Sequence, residues 1–90
     1  MEITFDPAKR DWTLEERGLD FKDAVQVFAG PTYRWTDERH EYGETRTVTI
    51  GLLRGRMVVL VWTQRGNARH IISLRKANER EQARYGEHLD

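Results

Sequence analysis

The stretch TRTVTIGLLRGRMVVLVWTQRGNARHIISLRK (residues 45–76) decides the fold. It divides at Arg54-Gly55-Arg56 and at Gln64-Arg65-Gly66-Asn67, two short polar runs of turn composition. The first piece, 45–53, alternates: Val48, Ile50 and Leu52 share one face, Thr47 and Thr49 the other. The second, MVVLVWT (57–63), is apolar on both faces, which places it in the middle of a sheet. The third, 68–75, puts His70, Ile72 and Leu74 on one face and Arg69, Ile71, Ser73 and Arg75 on the other. Turns this short do not allow a crossover, so the three strands pair antiparallel.

Outward from this meander, TYRW (32–35) is aromatic and β-prone and reads as a further strand, with TDERHEYGE (36–44) as a polar loop. EITF (2–5) alternates and opens the chain as a strand. Asp6-Pro7 starts a helix that runs to Gly18, with Asp as cap and Pro where no donor is needed. Asp20 starts a second helix whose apolar face is Phe21, Ala24, Val25 and Phe28, and Gly30-Pro31 ends it. Asn78 followed by Glu81 is a capping-box start for a last helix to about His88. The order is β-α-α-β-β-β-β-α: a small, mainly antiparallel α+β fold with helices covering one face of the sheet.

Ninety residues suit one domain, 1–90, with one core. No cysteine is present, which excludes disulfides, thiolate metal sites and cysteine nucleophiles and fits a cytoplasmic protein. No apolar run approaches a membrane span, and MEITFDPAKR lacks the features of a secretory signal. Three scattered His, without His-x₃-His or Asp-x-Asp spacing, give no metal ligand set, and the isolated glycines give no phosphate loop. No cofactor is expected.

Charge is balanced overall but unevenly placed. Residues 1–50 carry a net −4 and residues 51–90 a net +4. Twelve of the fifteen basic residues are Arg, whose planar fork grips phosphate with two hydrogen bonds. A basic half of this kind suits an anionic partner. The bland alternative is that these arginines only solvate the sheet, paired with Glu79, Glu81 or Glu44.

The run RHIISLRKANEREQARY (69–85) resembles the C-terminal signature of BrnT-type toxins, through Arg69, Ile71, Ile72, Ser73, Arg75, Ala77, Glu81 and Tyr85. FDPAK (5–9), GLDFKDAVQVF (18–28), GETRTVTIG (43–51) and VLVWTQRG (59–66) follow the same family in order and spacing. The resemblance implies a RelE-like fold and a ribonuclease toxin of a type II toxin–antitoxin pair that cleaves RNA and arrests translation. It implies a BrnA-like ribbon-helix-helix antitoxin, a two-plus-two complex, and contact with DNA only through that antitoxin. One departure stands out: many relatives carry Lys-His-Gly where this chain has Glu16-Arg17-Gly18. Guanidinium does not deprotonate near neutral pH, so Arg17 cannot relay protons as a His could. A catalytically weak homologue acting as antitoxin partner and co-repressor is therefore the alternative reading.

Metal-independent RNA cleavage needs a proton taken from the 2′-OH, one given to the leaving oxygen, and stabilisation of phosphate charge. The row on the third strand is the expected site: Arg75 with Ser73 as first pair, Arg69 and the turn residue Arg65 for a flanking phosphate. An antitoxin resting on Arg65, Arg69 and Arg75 would silence it. Arg54, Arg56, Lys76, Lys9 and Arg17 are further candidate RNA contacts. His40 and Glu44 are candidate acid–base groups, though His40 reads more readily as a solvated loop His and Glu44 equally as a partner of Arg46. His70 reads as a satisfied core His and His88 as surface. Of Trp12, Trp35 and Trp62, all able to stack on bases, Trp62 reads as core and Trp35 remains open.

Overall fold

The computed structural model describes residues 1–38 and 43–89. The elements are β1 (Glu2–Phe5), α1 (Pro7–Arg17), a 3₁₀ turn (Phe21–Asp23) running into α2 (Ala24–Ala29), β2 (Tyr33–Asp37), β3 (Arg46–Leu53), β4 (Arg56–Arg65), β5 (Ala68–Lys76), α3 (Glu79–Tyr85) and a closing 3₁₀ turn (Gly86–Leu89). The element order is the expected one. The five strands form one sheet in the order β1-β5-β4-β3-β2, with β4 central as its double-faced apolarity requires. β1 pairs parallel with β5, and all other neighbours are antiparallel.

Local chemistry sets the ends of α1. The Asp6 carboxylate accepts from the Ala8 N–H at 3.0 Å, and Gly18, at φ 69°, donates its N–H to the Leu14 carbonyl. Left-handed backbone there favours glycine. Arg10 clamps Asp20 through two hydrogen bonds of 2.9 and 2.8 Å, fixing α1 against the next turn. This pairing holds the Asp20 carboxyl down at about 2. The β3–β4 hairpin turns on Arg54 and Gly55, both at positive φ as a two-residue loop of this hand demands. The Arg54 guanidinium is tethered to Asp23 at 3.1 Å.

Several expectations are corrected. The second helix does not bury Phe21, Ala24, Val25 and Phe28 as one face: Val25 is exposed and Val27 is fully buried. Its first turn is 3₁₀, and three residues at 120° instead of 100° advance the following helix by about 60°. That rotation carries Val25 outward and Val27 in. Val27 then sits so close to β3 that a Cβ on Gly51 would lie 2.6 Å from it, so only glycine fits there without displacement. β2 also runs through Thr36 and Asp37, which pair with Thr47 and Arg46 rather than belonging to a loop.

Second, helices cover both faces of the sheet. One core gathers Leu19, Phe21, Ala24 and Val27 from the α1–α2 side with Leu53, Val58, Leu60, Trp62, Ile71 and Leu74. The other sets Ala77 and Leu89, around α3, on Val48, Ile50 and Val59, with Tyr85 packed against them. The reason is legible in MVVLVW: a strand apolar on both sides leaves one side wet unless both are covered. α3 is short but begins with the full capping box, Asn78 and Glu81 each accepting from the other's backbone N–H.

Third, β5 does not alternate throughout. Trp62 is opposite Ile71 and Val61 opposite Ser73, so Ile72 is an extra residue, a β-bulge. Ile71 and Leu74, three apart, consequently lie in the same core and are both fully buried. Arg69 falls on the α1–α2 face. Ser73 and Arg75 fall on the α3 face, opposite Val61 and Val59. The single arginine row expected from alternation is split between the two faces, and His70 does not share a face with Leu74.

Candidate functional site

The expected site residues sort into separate environments. Arg75 donates to both oxygens of Glu81 at 2.8 and 2.8 Å, a bidentate ion pair across the start of α3. The pair raises the Arg75 pKa and lowers that of Glu81 below the usual carboxylate range, in each case chiefly through these hydrogen bonds. Arg65 makes a looser surface contact with Glu44 at 3.3 Å. His70 accepts or donates one hydrogen bond through Nδ1 to the Thr4 hydroxyl at 2.8 Å and is partly exposed. Burial first, then Arg65, holds its pKa below the usual imidazole value. His40 lies outside the described residues.

Arg69 is held by rings instead of a carboxylate. Its guanidinium carbon lies 4.5 Å from the Phe28 ring centre and 4.4 Å from that of Trp62. Trp62 is itself fixed by its indole N–H donating to the Thr49 hydroxyl at 2.8 Å. Desolvation and the nearby positive charge of Arg34 lower the Arg69 pKa, a shift far too high in pH to discharge a guanidinium near neutrality. No carboxylate partner for Arg69 stands among the described residues. Arg34 carried no signal of its own in the sequence beyond sitting in an aromatic strand.

Two cavities bring the remaining candidates together. A cleft of about 370 Å³ opens between α1 and the part of β5 beyond the reach of β1, whose last pair is Phe5 with Ile71. Lys9, Trp12 and Arg17 line it from α1, and Ile72 and Ser73 from the bulge. Phe21 and Ala8 add apolar wall. Trp12 is 53% exposed, and the Arg17 guanidinium stacks over its ring at 5.0 Å. Arg17 also donates from Nη1 to the Leu74 carbonyl at 3.0 Å, tying the end of α1 to β5 past the point where β1 stops. Lys9, spaced one turn from Trp12, and Arg17 at the helix end thus converge on the bulge, with Ile72 and Ser73 at its border. The Ser73 side chain itself falls on the α3 face, so the expected pair of Ser73 with an arginine of the cleft is not formed. A mostly apolar concavity with a few convergent polar groups is the usual form of a ligand site.

A second, polar cavity of about 590 Å³ is lined by Arg54, Arg56 and Lys76 with Gln82. A smaller one of about 240 Å³ shares these three cations and reaches Gly18, next to Arg17. The cations of the hairpin turn therefore continue those of the cleft around the end of the sheet. Among the described residues no three His, Cys, Asp or Glu side chains stand together as a metal site. Among the described residues no helix is long and apolar enough to cross a membrane.

The fold is thus a small α+β protein whose sheet edge carries a cleft with Lys9, Arg17 and an exposed Trp12. The chain belongs to the BrnT toxin family: the family model described as "Ribonuclease toxin, BrnT, of type II toxin-antitoxin system" matches residues 5–81. That span holds α1, the whole sheet from Phe5 onward and the bulge. The family carries with it a ribonuclease toxin and an antitoxin partner. No curated protein matches the sequence.

Proposed function

We propose that the chain is an endoribonuclease that binds single-stranded RNA in the α1–β5 cleft and cleaves it without a metal, arresting translation in the cytoplasm. The observation that carries this reading is the convergence of Lys9, Arg17 and the exposed face of Trp12 on one concavity at the bulge. Lys9 and Arg17 would hold the phosphate and offset the charge that grows on it as the RNA's own 2′-OH attacks. Trp12 offers a ring on which a base can stack. Arg54, Arg56 and Lys76 would carry the flanking backbone, and Arg69 with Arg34 would hold a phosphate on the α1–α2 face. Glu44, engaged by Arg65, would be a carboxylate available for proton transfer. Arg75, neutralised by Glu81, acts in this reading by holding α3 and not by gripping RNA.

The partner is proposed to be a BrnA-like ribbon-helix-helix antitoxin in a two-plus-two complex, with DNA contacted only through it. Because Arg65, Arg69 and Arg75 do not share a face, an antitoxin silences the chain by filling the α1–β5 cleft rather than by covering those three.

A specific observation favours the weaker homologue as second reading. Arg17, at the position where many relatives carry His, is occupied by Trp12 and the Leu74 carbonyl and supplies charge without a proton acceptor. The test is cleavage of a long RNA by purified protein in EDTA, beside Lys9→Ala and Arg17→His. The wild type cleaves, Lys9→Ala loses about 10²-fold, and Arg17→His gains rate. No cleavage by wild type or Arg17→His, with folding confirmed by circular dichroism and a partner that co-purifies, establishes the co-repressor reading instead.

A further inference from the structure

The groove at the opposite edge of the sheet is not absorbed by this cleft. Tyr33 and Trp35, two apart on edge strand β2, face the same side. Tyr85 and His88 come to meet them from the end of α3 and the closing 3₁₀ turn. Trp35 stacks on Tyr85 at 5.3 Å and 22°, and Tyr33 lies 4.3 Å from the His88 ring and 5.5 Å from Tyr85. Arg84 sits over Tyr85 at 5.5 Å. These five side chains enclose a groove of about 440 Å³.

A cluster needed only to pin α3 would be closed over. Here Tyr33 and Trp35 remain 38% and 37% exposed, although Val48 and Ile50 beside them are buried. The lining consists of rings and one guanidinium, with no aliphatic and no acidic side chain. Aromatic faces beside a cation are what single-stranded nucleic acid is stacked on, and such stacking tolerates any base. A protein partner needs on the order of 20–30 residues a side, whereas this groove has the dimensions of a single-nucleotide site.

We propose that the Tyr33–Trp35–Tyr85–His88 groove is a stacking site for a nucleobase of single-stranded RNA, with Arg84 beside its phosphate. The proposal rests on the reading of the chain as RNA-acting and adds a subsite to it. Gln82 lines the basic cavity of Arg54, Arg56 and Lys76, and Arg84 lines the groove, both on α3. That seven-residue helix is about 10 Å long, so the cationic strip and the stacking site lie within reach of one short strand.

The experiment uses a six-nucleotide RNA with every 2′-hydroxyl methylated, so that it cannot be cut, and the same backbone without bases. Binding to wild type, Trp35→Phe and Trp35→Leu is measured by anisotropy. Wild type and Trp35→Phe bind the hexamer alike, Trp35→Leu binds about tenfold more weakly with unchanged circular dichroism, and the abasic strand binds all three proteins equally. If Trp35→Leu melts, His88→Ala, which removes an exposed ring, gives the same readout. Equal binding of the hexamer by wild type, Trp35→Leu and His88→Ala overturns the proposal, as does no binding by wild type. So does loss of antitoxin co-purification in Trp35→Leu with RNA binding intact, which would make the groove a protein-docking face. Cleavage of natural RNA reports separately. A wild type that cuts while Trp35→Leu binds normally defeats the groove alone; a wild type that stacks the hexamer but does not cut defeats the cleavage reading alone.

Discussion

Arg69 and Arg75 stand on one strand and belong to one sequence signature, yet their surroundings are opposite. Arg75 is matched by a carboxylate that also caps a helix, so its charge is spent on architecture. Arg69 is flanked by two rings and a like charge, with no described carboxylate, so its charge is available. A guanidinium gripping a phosphate must first leave whatever already grips it, which disfavours Arg75 and favours Arg69. The bulge at Ile72 makes the difference, because it sends the two residues to different faces. An arginine's role therefore follows from the face it reaches and the partner waiting there.

The strongest way to break this comparison is to attack the register that the bulge sets. With Ile72 as the extra residue, Leu74 is opposite Leu60 and fully buried beside Ile71 in the α1–α2 core. Loss of one such side chain from a core costs about 2–5 kcal/mol. A domain of this size has roughly 5–15 kcal/mol in total. Leu74→Ala is therefore expected to lower the melting temperature steeply, whereas deleting Ile72 keeps Ser73, Leu74 and Arg75 opposite Val61, Leu60 and Val59 and leaves the chain folded by circular dichroism.

A smaller effect sharpens the contrast itself. Arg75→Ala and Glu81→Gln each lower the melting temperature, by about 4–8 °C for each kcal/mol lost. Arg75 is 43% exposed, so solvent screening keeps the expected loss near 1–2 kcal/mol. The double variant melts close to either single one, since both remove the same pair. Arg69→Ala shows the reverse pattern. Its melting point moves less, while the dependence of RNA binding on salt loses about 0.7 in logarithmic slope, one phosphate contact on a single strand. Equal salt slopes for the two variants would abolish the distinction drawn between these arginines.

Much of this was legible in the residues. Asp6-Pro7, Gly18, Gly30-Pro31 and Asn78 with Glu81 mark helix ends by local chemistry that tertiary structure did not override. The central place of β4 follows from its two apolar faces. The bulge was not legible, because Ile71, Ile72 and Leu74 fill an alternating pattern and a bulged one equally well. Only the cover waiting on both faces selects the second. The 3₁₀ turn before α2 is hidden for a similar reason: Phe21, Ala24, Val25, Val27 and Phe28 offer two apolar stripes, and contact with Gly51 chooses between them. The sequence supplied Lys9 and Arg17 as separate candidates; their meeting beside the bulge depends on where β1 ends, which is a tertiary fact.

The faintest expected effect concerns His70, on the α3 face of the same strand. Thr4 holds its ring by hydrogen bond, while Arg65, Glu44, Lys9 and Asp6 supply the surrounding charge. Burial and the cations outweigh the carboxylates and set its folded pKa below the unfolded one. Between those two values the unfolded chain binds more protons than the folded one, so stability rises with pH through that window. The contribution is fully present above the ordinary imidazole value of about 6.5 and is lost as pH falls through it. The Glu81 and Asp20 carboxyls, both lowered, lose their contributions only further into acid. Urea midpoints at about pH 7.5 and about pH 5.5 therefore fall with acid in the wild type and fall less in His70→Gln, whose amide can keep the Thr4 contact. Equal falls in the two proteins would mean that the ring senses water more than its charged neighbours. The α3 face of β5 would then contribute through Arg75 and Glu81 alone.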